Sequence, residues 1–295
     1  MSIETRIERG KSLKPFTTLG IGGPAKEFVS IHSIEEMQQI RLYINKNQLP
    51  FWVIGKGSNA LFDDRGFDGL VILNKIDFIT FDEGHLHAGA GTSFSLLGVK
   101  MARNGWGGLE FASGIPGSLG GAIYMNAGAN GKETADHLAA VGFIDEAGEF
   151  QEAKTKELSF GYRTSSFHKS NKIIVSGHFL LKKEENARKK QIDIVTYRTK
   201  TQPYGDKSAG CIFQNPEGIS AGALIEACGL KGKCVGGAEV STLHGNFIIN
   251  KGGATAEEVR MLARLVSETV KEKTGIKLRM EVQTVPYQLE KDVPR

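Results

Sequence analysis

The sequence predicts a mixed α/β or α+β fold, and three observations carry that prediction. Apolar runs of strand length alternate with amphipathic stretches of helix length along the 295 residues. Two helical stretches open with capping boxes, Ser33-Ile34-Glu35-Glu36 and Thr255-Ala256-Glu257-Glu258. The 37 glycines, roughly twice the usual ~7% share, are not periodic. They cluster at 55–57, 89–91, 105–108, 114–131 and 229–237, where tight turns or a ligand against the backbone are expected.

After the first box, Ile34, Met37, Ile40 and Ile44 share a face, which gives a helix over 34–47 followed by Pro50. Phe51-Trp52-Val53-Ile54 is a short buried strand that runs into Gly55-Lys56-Gly57-Ser58-Asn59. Gly69 to Leu73 is the next strand, and 85–89 leads into Gly89-Ala90-Gly91-Thr92-Ser93. Ser93 is expected to cap a helix through about Arg103, stopped at Asn104-Gly105. Residues 106–131 are irregular and glycine-rich, yet too apolar for a linker. Strands are expected at 139–144, 149–153 and 172–181, with a turn at Glu146-Ala147-Gly148. The polar stretch Lys183 to Lys190 reads as the domain boundary, with a helix over 191–198 after it. A further helix runs from about Ser220 to Cys228-Gly229. The last helix, lined by Val259, Leu262, Leu265, Val266 and Val270, stops at Gly275, and a strand around 278–285 closes the chain. No internal repeat of 20–50 residues is present.

Composition excludes several classes. Hydrophobic residues make up 40%, so disorder is not expected. The net charge of +4 is mild, and its densest basic run, Arg188-Lys189-Lys190, reads as a solvated helix face. A nucleic-acid partner would call for a longer basic stripe with aromatics on it. Cys211, Cys228 and Cys234 contain no C-x-x-C pair, so no metal site is expected. An odd cysteine count, and a charged Met1 to Lys11 without an apolar h-region, point to a reducing compartment. No window approaches 18 apolar residues. The expectation is a soluble cytoplasmic protein with no membrane insertion.

Gly55-Lys56-Gly57-Ser58-Asn59-Ala60 fits G-x-G-x-x-A after a strand, the dinucleotide fingerprint. That fingerprint needs a helix directly after the loop. Here Asp63 to Gly69 intervenes and the next strand is already starting, leaving no room for a crossover of ~10–12 residues. A Rossmann unit is therefore rejected, and no Gly-Lys-Ser/Thr supplies a Walker A loop. What remains is a nest of bare amides for anionic oxygens, or an ordinary turn. The second loop, Gly114-Ile115-Pro116-Gly117-Ser118-Leu119-Gly120-Gly121, is followed by Asn126-Ala127-Gly128-Ala129-Asn130-Gly131. Its interleaved apolar residues favour a ligand cradle, and two such loops can grip a pyrophosphate-bearing cofactor.

Together with Thr17-Thr18-Leu19-Gly20-Ile21-Gly22-Gly23-Pro24-Ala25, these loops resemble the UDP-N-acetylenolpyruvoylglucosamine reductase (MurB) family. Gly161-Tyr162-Arg163, Ala209-Gly210-Cys211-Ile212-Phe213-Gln214-Asn215-Pro216, Asn246-Phe247-Ile248-Ile249-Asn250 and Glu281 follow in the family's order. The resemblance covers about 16 to 285 and places the chain in the shorter (type II) branch, because little chain separates 163 from 211. It implies an α+β fold: a two-lobed FAD-binding domain of the vanillyl-alcohol-oxidase/cresol-hydroxylase (PCMH) type, lobes 1–77 and 78–182, and a C-terminal substrate domain at 183–295. It implies noncovalent FAD held by Gly55, Lys56, Gly57, Ser58, Asn59, Gly114, Ile115, Gly117, Ser118, Gly121, Asn126 and Gly128.

The implied reaction is reduction of UDP-N-acetylglucosamine enolpyruvate to UDP-N-acetylmuramate, with NADPH as hydride-donating co-substrate. Hydride reaches the vinyl carbon, charge develops on the carboxylate, and the neighbouring carbon takes a proton. That chemistry needs a cation, a positioned acid and a group that orients or polarises the carboxylate. Arg163 suits the first role, because its planar fork matches a carboxylate. Cys211 suits the second, where the family carries Ser or Cys; Glu281 suits the third. Read from spacing alone, these are an exposed arginine, a small core residue and a solvated strand-face carboxylate. Tyr162, Arg198, Lys200 and Asn215 are the expected substrate contacts. Thr201 stands where the family often has Lys, so Arg198, Lys200 and Lys207 compete for the substrate diphosphate; Gln214 replaces a common Lys or Arg. Two other readings stay open: a PCMH-type FAD oxidoreductase for alcohols or sugar lactones, and a flavin-binding module without catalysis. Covalent flavin attachment would call for His or Cys near the first loop, and 55–59 has neither.

Overall fold

The computed structural model describes residues 3–289. Strands Pro24–Ile31, Phe67–Asn74 and Phe51–Ile54 pair in parallel, and Glu8–Ser12 adds antiparallel at the edge. Helix Ile34–Asn47 lays Met37, Ile40 and Ile44 on this sheet's Val29, Ile31, Leu70 and Ile72. Ser33 caps it by accepting from the Glu36 amide, while the Glu36 carboxylate accepts from His32 rather than closing the box on Ser33. After Ile54 the first glycine loop returns directly into strand Ala60–Phe62 without a helix.

The second sheet has five antiparallel strands in the order Phe150–Lys154, Leu138–Ile144, Ile173–Leu180, His85–Gly89, Ile79–Asp82. One face buries Leu86, Ala88, Val141 and Phe179 with residues of helices Phe94–Arg103 and Leu119–Tyr124. Ser93 stands at the N-cap of the first of these helices, but makes no capping bond; its hydroxyl accepts from Lys56 Nζ at 2.7 Å.

The third sheet runs Lys207–Cys211, Phe247–Asn250, Ala238–Val240, Cys234–Val235. Val240 and Ile248 share a core with Ile225 of helix Ala221–Ala227 and Val259, Leu262 and Val266 of helix Ala256–Thr274. The Thr255/Glu258 box closes reciprocally, and Gly275, at φ +76°, ends the long helix in the left-handed conformation that glycine accepts freely. Leu19, Ile21 and Leu61 belong to the same core, so the amino-terminal signature segment is structurally part of the third sheet's packing. Thr18 links the two regions: its amide donates to Gly57 O at 3.2 Å and its hydroxyl to Ser208 O at 2.6 Å.

Two expected elements differ. The helix placed at 191–198 is Ala187–Thr201. Ala187 and Gln191 are buried, and the helix packs on Phe94–Arg103, while Lys189 and Lys190 stay exposed. Tertiary burial of one narrow face, Ala187 and Gln191 at i and i+4, outweighs the charge that hid the first turn. The stretch 183–190 also holds Lys183, which pairs with Trp106. The strand expected at 278–285 changes partner midway: Met280 bridges to Phe213, then Gln283–Val285 runs parallel to Ala60–Phe62. No helix among the described residues is long and apolar enough to cross a membrane.

Candidate active site

One cavity is lined by both glycine loops and by residues of all three sheets. Gly55 and Ser118 bring the loops together: a Cβ on Gly55 would lie 1.9 Å from Ser118 Oγ. Gly57, at φ +59°, lets its loop pass the backbone of Phe16, whose carbonyl a Cβ would meet at 2.0 Å. Substituents on Gly117 and Gly121 would meet nothing nearer than 3.4 Å, so these two leave bare backbone toward the cavity. The amides of Lys56, Gly57 and Ser58 donate to no acceptor among the described residues. A row of unspent N–H groups beside glycines fits the phosphate oxygens of a dinucleotide. Burial, followed by the charge of Lys75, lowers the Lys56 ammonium's affinity for its proton.

The chemistry-bearing end is assembled from three distant segments. Tyr162 and Arg163 are the two turn residues of a hairpin whose strands are Phe160–Gly161 and Thr164–Ser165. Arg163 has φ +56°, an unusual conformation for a non-glycine residue. That turn aims its guanidinium inward, where Nε donates to Glu281 Oε1 at 2.7 Å and Nη2 to Gly128 O at 3.2 Å. Both side chains of this pair are largely buried, at 18% and 15% exposure. Burial raises the Glu281 carboxyl above its ordinary value, and Arg163 opposes that rise. Glu281 is fixed through its backbone: its amide donates to Ile212 O, and its carbonyl accepts from Asn59 Nδ2. The change of strand partner between Met280 and Gln283 is what brings this residue to the first glycine loop.

Cys211 ends the strand Lys207–Cys211 opposite Phe247, just after Gly210 at φ +77° and a register shift. Burial pushes its thiol up to about 12, and the Glu281 carboxylate adds to the rise. The group is therefore a neutral, proton-bearing thiol at neutral pH.

Gly55, Lys56, Gly57, Ser58, Asn59, Ile115, Gly117, Ser118, Gly121, Gly128, Arg163, Cys211, Glu281 and Arg198 all line this cavity. Gly114 lies just behind it, its carbonyl accepting from Tyr204 Oη at 2.8 Å, and Arg198 Nε donates to the same hydroxyl at 3.1 Å. Asn126, expected at the cofactor, does not line the cavity and is fully buried. At φ +43°, its amide group donates to Glu133 and to Gly161 O, and its Oδ1 accepts from the Ala135 amide. It therefore braces the Arg163 hairpin. Tyr162 is 46% exposed, with the Arg163 guanidinium over its ring, and its hydroxyl accepts from the Asn215 amide. Lys200 is exposed on its helix and lies outside the cavity lining. Gln202, Gln283 and Tyr124 line the cavity and were not anticipated. Period-two alternation from Glu281 would have pointed to Gln283.

Residues 25–154 match a family described as an FAD binding domain, and residues 202–285 match the C-terminal domain of UDP-N-acetylenolpyruvoylglucosamine reductase. The chain is 56% identical to the UDP-N-acetylenolpyruvoylglucosamine reductase of Protochlamydia amoebophila, over 97% of this chain and 96% of that one. It is 46% identical to the enzyme of that name from Chlamydia pneumoniae, over 96% and 93% of the two chains. The crystal structure of the Thermus caldophilus reductase superposes with a TM-score of 0.82 at 40% identity, covering 95% of this chain and 99% of that one. Arg163 falls between the two matched segments, so its place beside Glu281 is a finding of the geometry.

Proposed function

The chain belongs to the UDP-N-acetylenolpyruvoylglucosamine reductase family, flavin-dependent oxidoreductases, and on that premise we propose how its cavity works. The substrate is UDP-N-acetylglucosamine enolpyruvate, the product UDP-N-acetylmuramate, the hydride donor NADPH. The setting is the cytoplasm, where the product serves peptidoglycan synthesis and hence cell shape and division. FAD is held without a covalent bond, a reading supported by the first glycine loop, 55–59, which carries neither His nor Cys. The residues present fit the group: glycines at 55, 57, 117 and 121 and the unspent amides of 56–58 would hold its diphosphate. When bound, it supplies hydride transfer.

The protein's own part follows from three side chains. Arg163 spends Nε and one Nη2 hydrogen on Glu281 and Gly128, and its remaining donors are available to a substrate carboxylate. As negative charge moves onto that carboxylate, a fixed, poorly solvated cation stabilises it more than water can. Glu281 holds the guanidinium in place and balances its charge before substrate arrives. Cys211, protonated at neutral pH, keeps its proton until a strongly basic enolate-like carbon takes it. Arg198, at the same cavity, is the cation best placed for the substrate diphosphate; the exposed Lys200 is less well placed.

The observation that carries this reading is the convergence of residues 163, 211 and 281 with both glycine loops on one cavity. The test is NADPH oxidation by flavin-loaded protein with and without UDP-N-acetylglucosamine enolpyruvate. Turnover that depends on this substrate supports the reading. Turnover with alcohols or sugar lactones instead, or none with either, overturns it.

A further inference from the structure

The second sheet carries a histidine cluster that the reductase chemistry does not use. His85 and His87 alternate on strand His85–Gly89, so both leave the face opposite buried Leu86 and Ala88. His178, on Ile173–Leu180, is the direct cross-strand partner of His87. His178 Nε2 lies 3.3 Å from His85 Nδ1, with the ring centres 5.4 Å apart. The His87 ring is 6.3 Å from that of His178. None of the three lines the flavin cavity.

The 3.3 Å separation suits an N–H···N hydrogen bond, and it also suits a shared metal ion. Zinc–imidazole bonds of about 2.0–2.1 Å at a tetrahedral angle put two ligating nitrogens about 3.3–3.4 Å apart. The donors sit on adjacent inner strands of a five-stranded sheet, so their spacing is set by the ladder rather than by a mobile loop. His85 is exposed, so an ion can arrive without local opening. Asp82 is the cross-strand partner of His85 and supplies a neighbouring carboxylate. Among the described residues no group of three or more such side chains is preformed for a metal.

We propose that His85 and His178 form a two-histidine surface site for a borderline divalent cation of the zinc type, with water completing its coordination. The ion ties two strands that lead to the flavin cavity: His85–Gly89 runs into Ala90, and Ile173 and Ile174 begin the partner strand, all three in the cavity lining.

The experiment is zinc titration by calorimetry on untagged, flavin-loaded protein carrying Cys234→Ser, which removes the exposed thiol. His85→Ala and His178→Ala are then made separately in that background. The site predicts one zinc per chain, with affinity reduced at least about tenfold by either substitution. At saturating zinc the melting temperature of the histidine-intact protein rises by several degrees, and that of either variant does not. Loss of binding in only one variant, binding unchanged in both, or no binding at all overturns the proposal. Both histidines lie outside the cavity, so steady-state turnover of the variants confirms that they are folded.

Discussion

Gly55→Ala is the sharpest test of how the two glycine loops act together. The added Cβ would fall 1.9 Å from Ser118 Oγ and 2.7 Å from Ser118 Cβ, far inside contact distance. The loops must separate by about 1 Å or more, and Ser118 Oγ must leave the Gly121 amide that it caps at 3.4 Å. Overpacking of this kind costs about 1–3 kcal/mol, a fall in melting temperature of roughly 2–10 °C. FAD affinity should drop at least about tenfold, because the opened cradle no longer places both loops on one diphosphate. The geometry also specifies a rescue. Ser118→Gly removes both clashing atoms and leaves Ser118 Cα at 3.9 Å, an ordinary contact. Replacing a cap by glycine costs only a few tenths of a kcal/mol. The double variant Gly55→Ala/Ser118→Gly should therefore bind FAD better than Gly55→Ala alone, a coupling read from a double-mutant cycle. The assay is flavin fluorescence on apoprotein titrated with FAD. Unchanged affinity in Gly55→Ala, or a double variant no better than the single, would refute the shared cradle.

Arg163→Lys keeps the charge but loses the fork that reaches Glu281 and Gly128 together; turnover should fall with near-normal FAD content, and unchanged turnover would remove Arg163 from the site. Asn126→Ala removes the brace under the hairpin and leaves buried partners unsatisfied, so a loss of about 1–3 kcal/mol in denaturant stability is expected, with activity lost before FAD binding. Burial raises the Glu281 pKa, so the folded protein retains a proton that the unfolded chain releases from its ordinary value of 4.5 upward. Stability should therefore decline as pH rises from that ordinary value, and Glu281→Gln should flatten the decline in urea titrations run upward from pH 4.5; an unaltered profile counts against the buried carboxyl.

Local chemistry was legible wherever one segment decides its own conformation. The helix 34–47 was bounded by Ser33 and the last helix by Thr255 and Gly275, because caps are written in adjacent residues. Strand 85–89 was likewise readable from its apolar alternation into a glycine turn. The strand Pro24–Ile31 went unread, although it supplies a central partner of the first sheet, because Lys26 and Glu27 interrupt its apolar pattern. Glu27 is in fact buried and accepts from Tyr43 Oη, a partner sixteen residues away. The same limit applied at the site. Arg163, Cys211 and Glu281 could be named from ordered motifs, but their meeting depends on a strained turn and on a strand that changes partner, both tertiary events. Asn126 was expected at the cofactor by resemblance; its burial and its bonds to Glu133, Gly161 and Ala135 are tertiary features that no motif displays.

The central claim is that Cys211 donates the proton that completes substrate reduction at the Arg163–Glu281 pair, and anaerobic stopped-flow kinetics of Cys211→Ala test it most directly. Flavin reduction by NADPH needs no proton from this thiol and should proceed at nearly the normal rate. Reoxidation by UDP-N-acetylglucosamine enolpyruvate should slow by ~10²–10⁴-fold, the usual range for a missing general acid, and Cys211→Ser should recover much of it. If Cys211→Ala slows both half-reactions alike, or neither, the thiol is a packing residue and the account of the site is wrong.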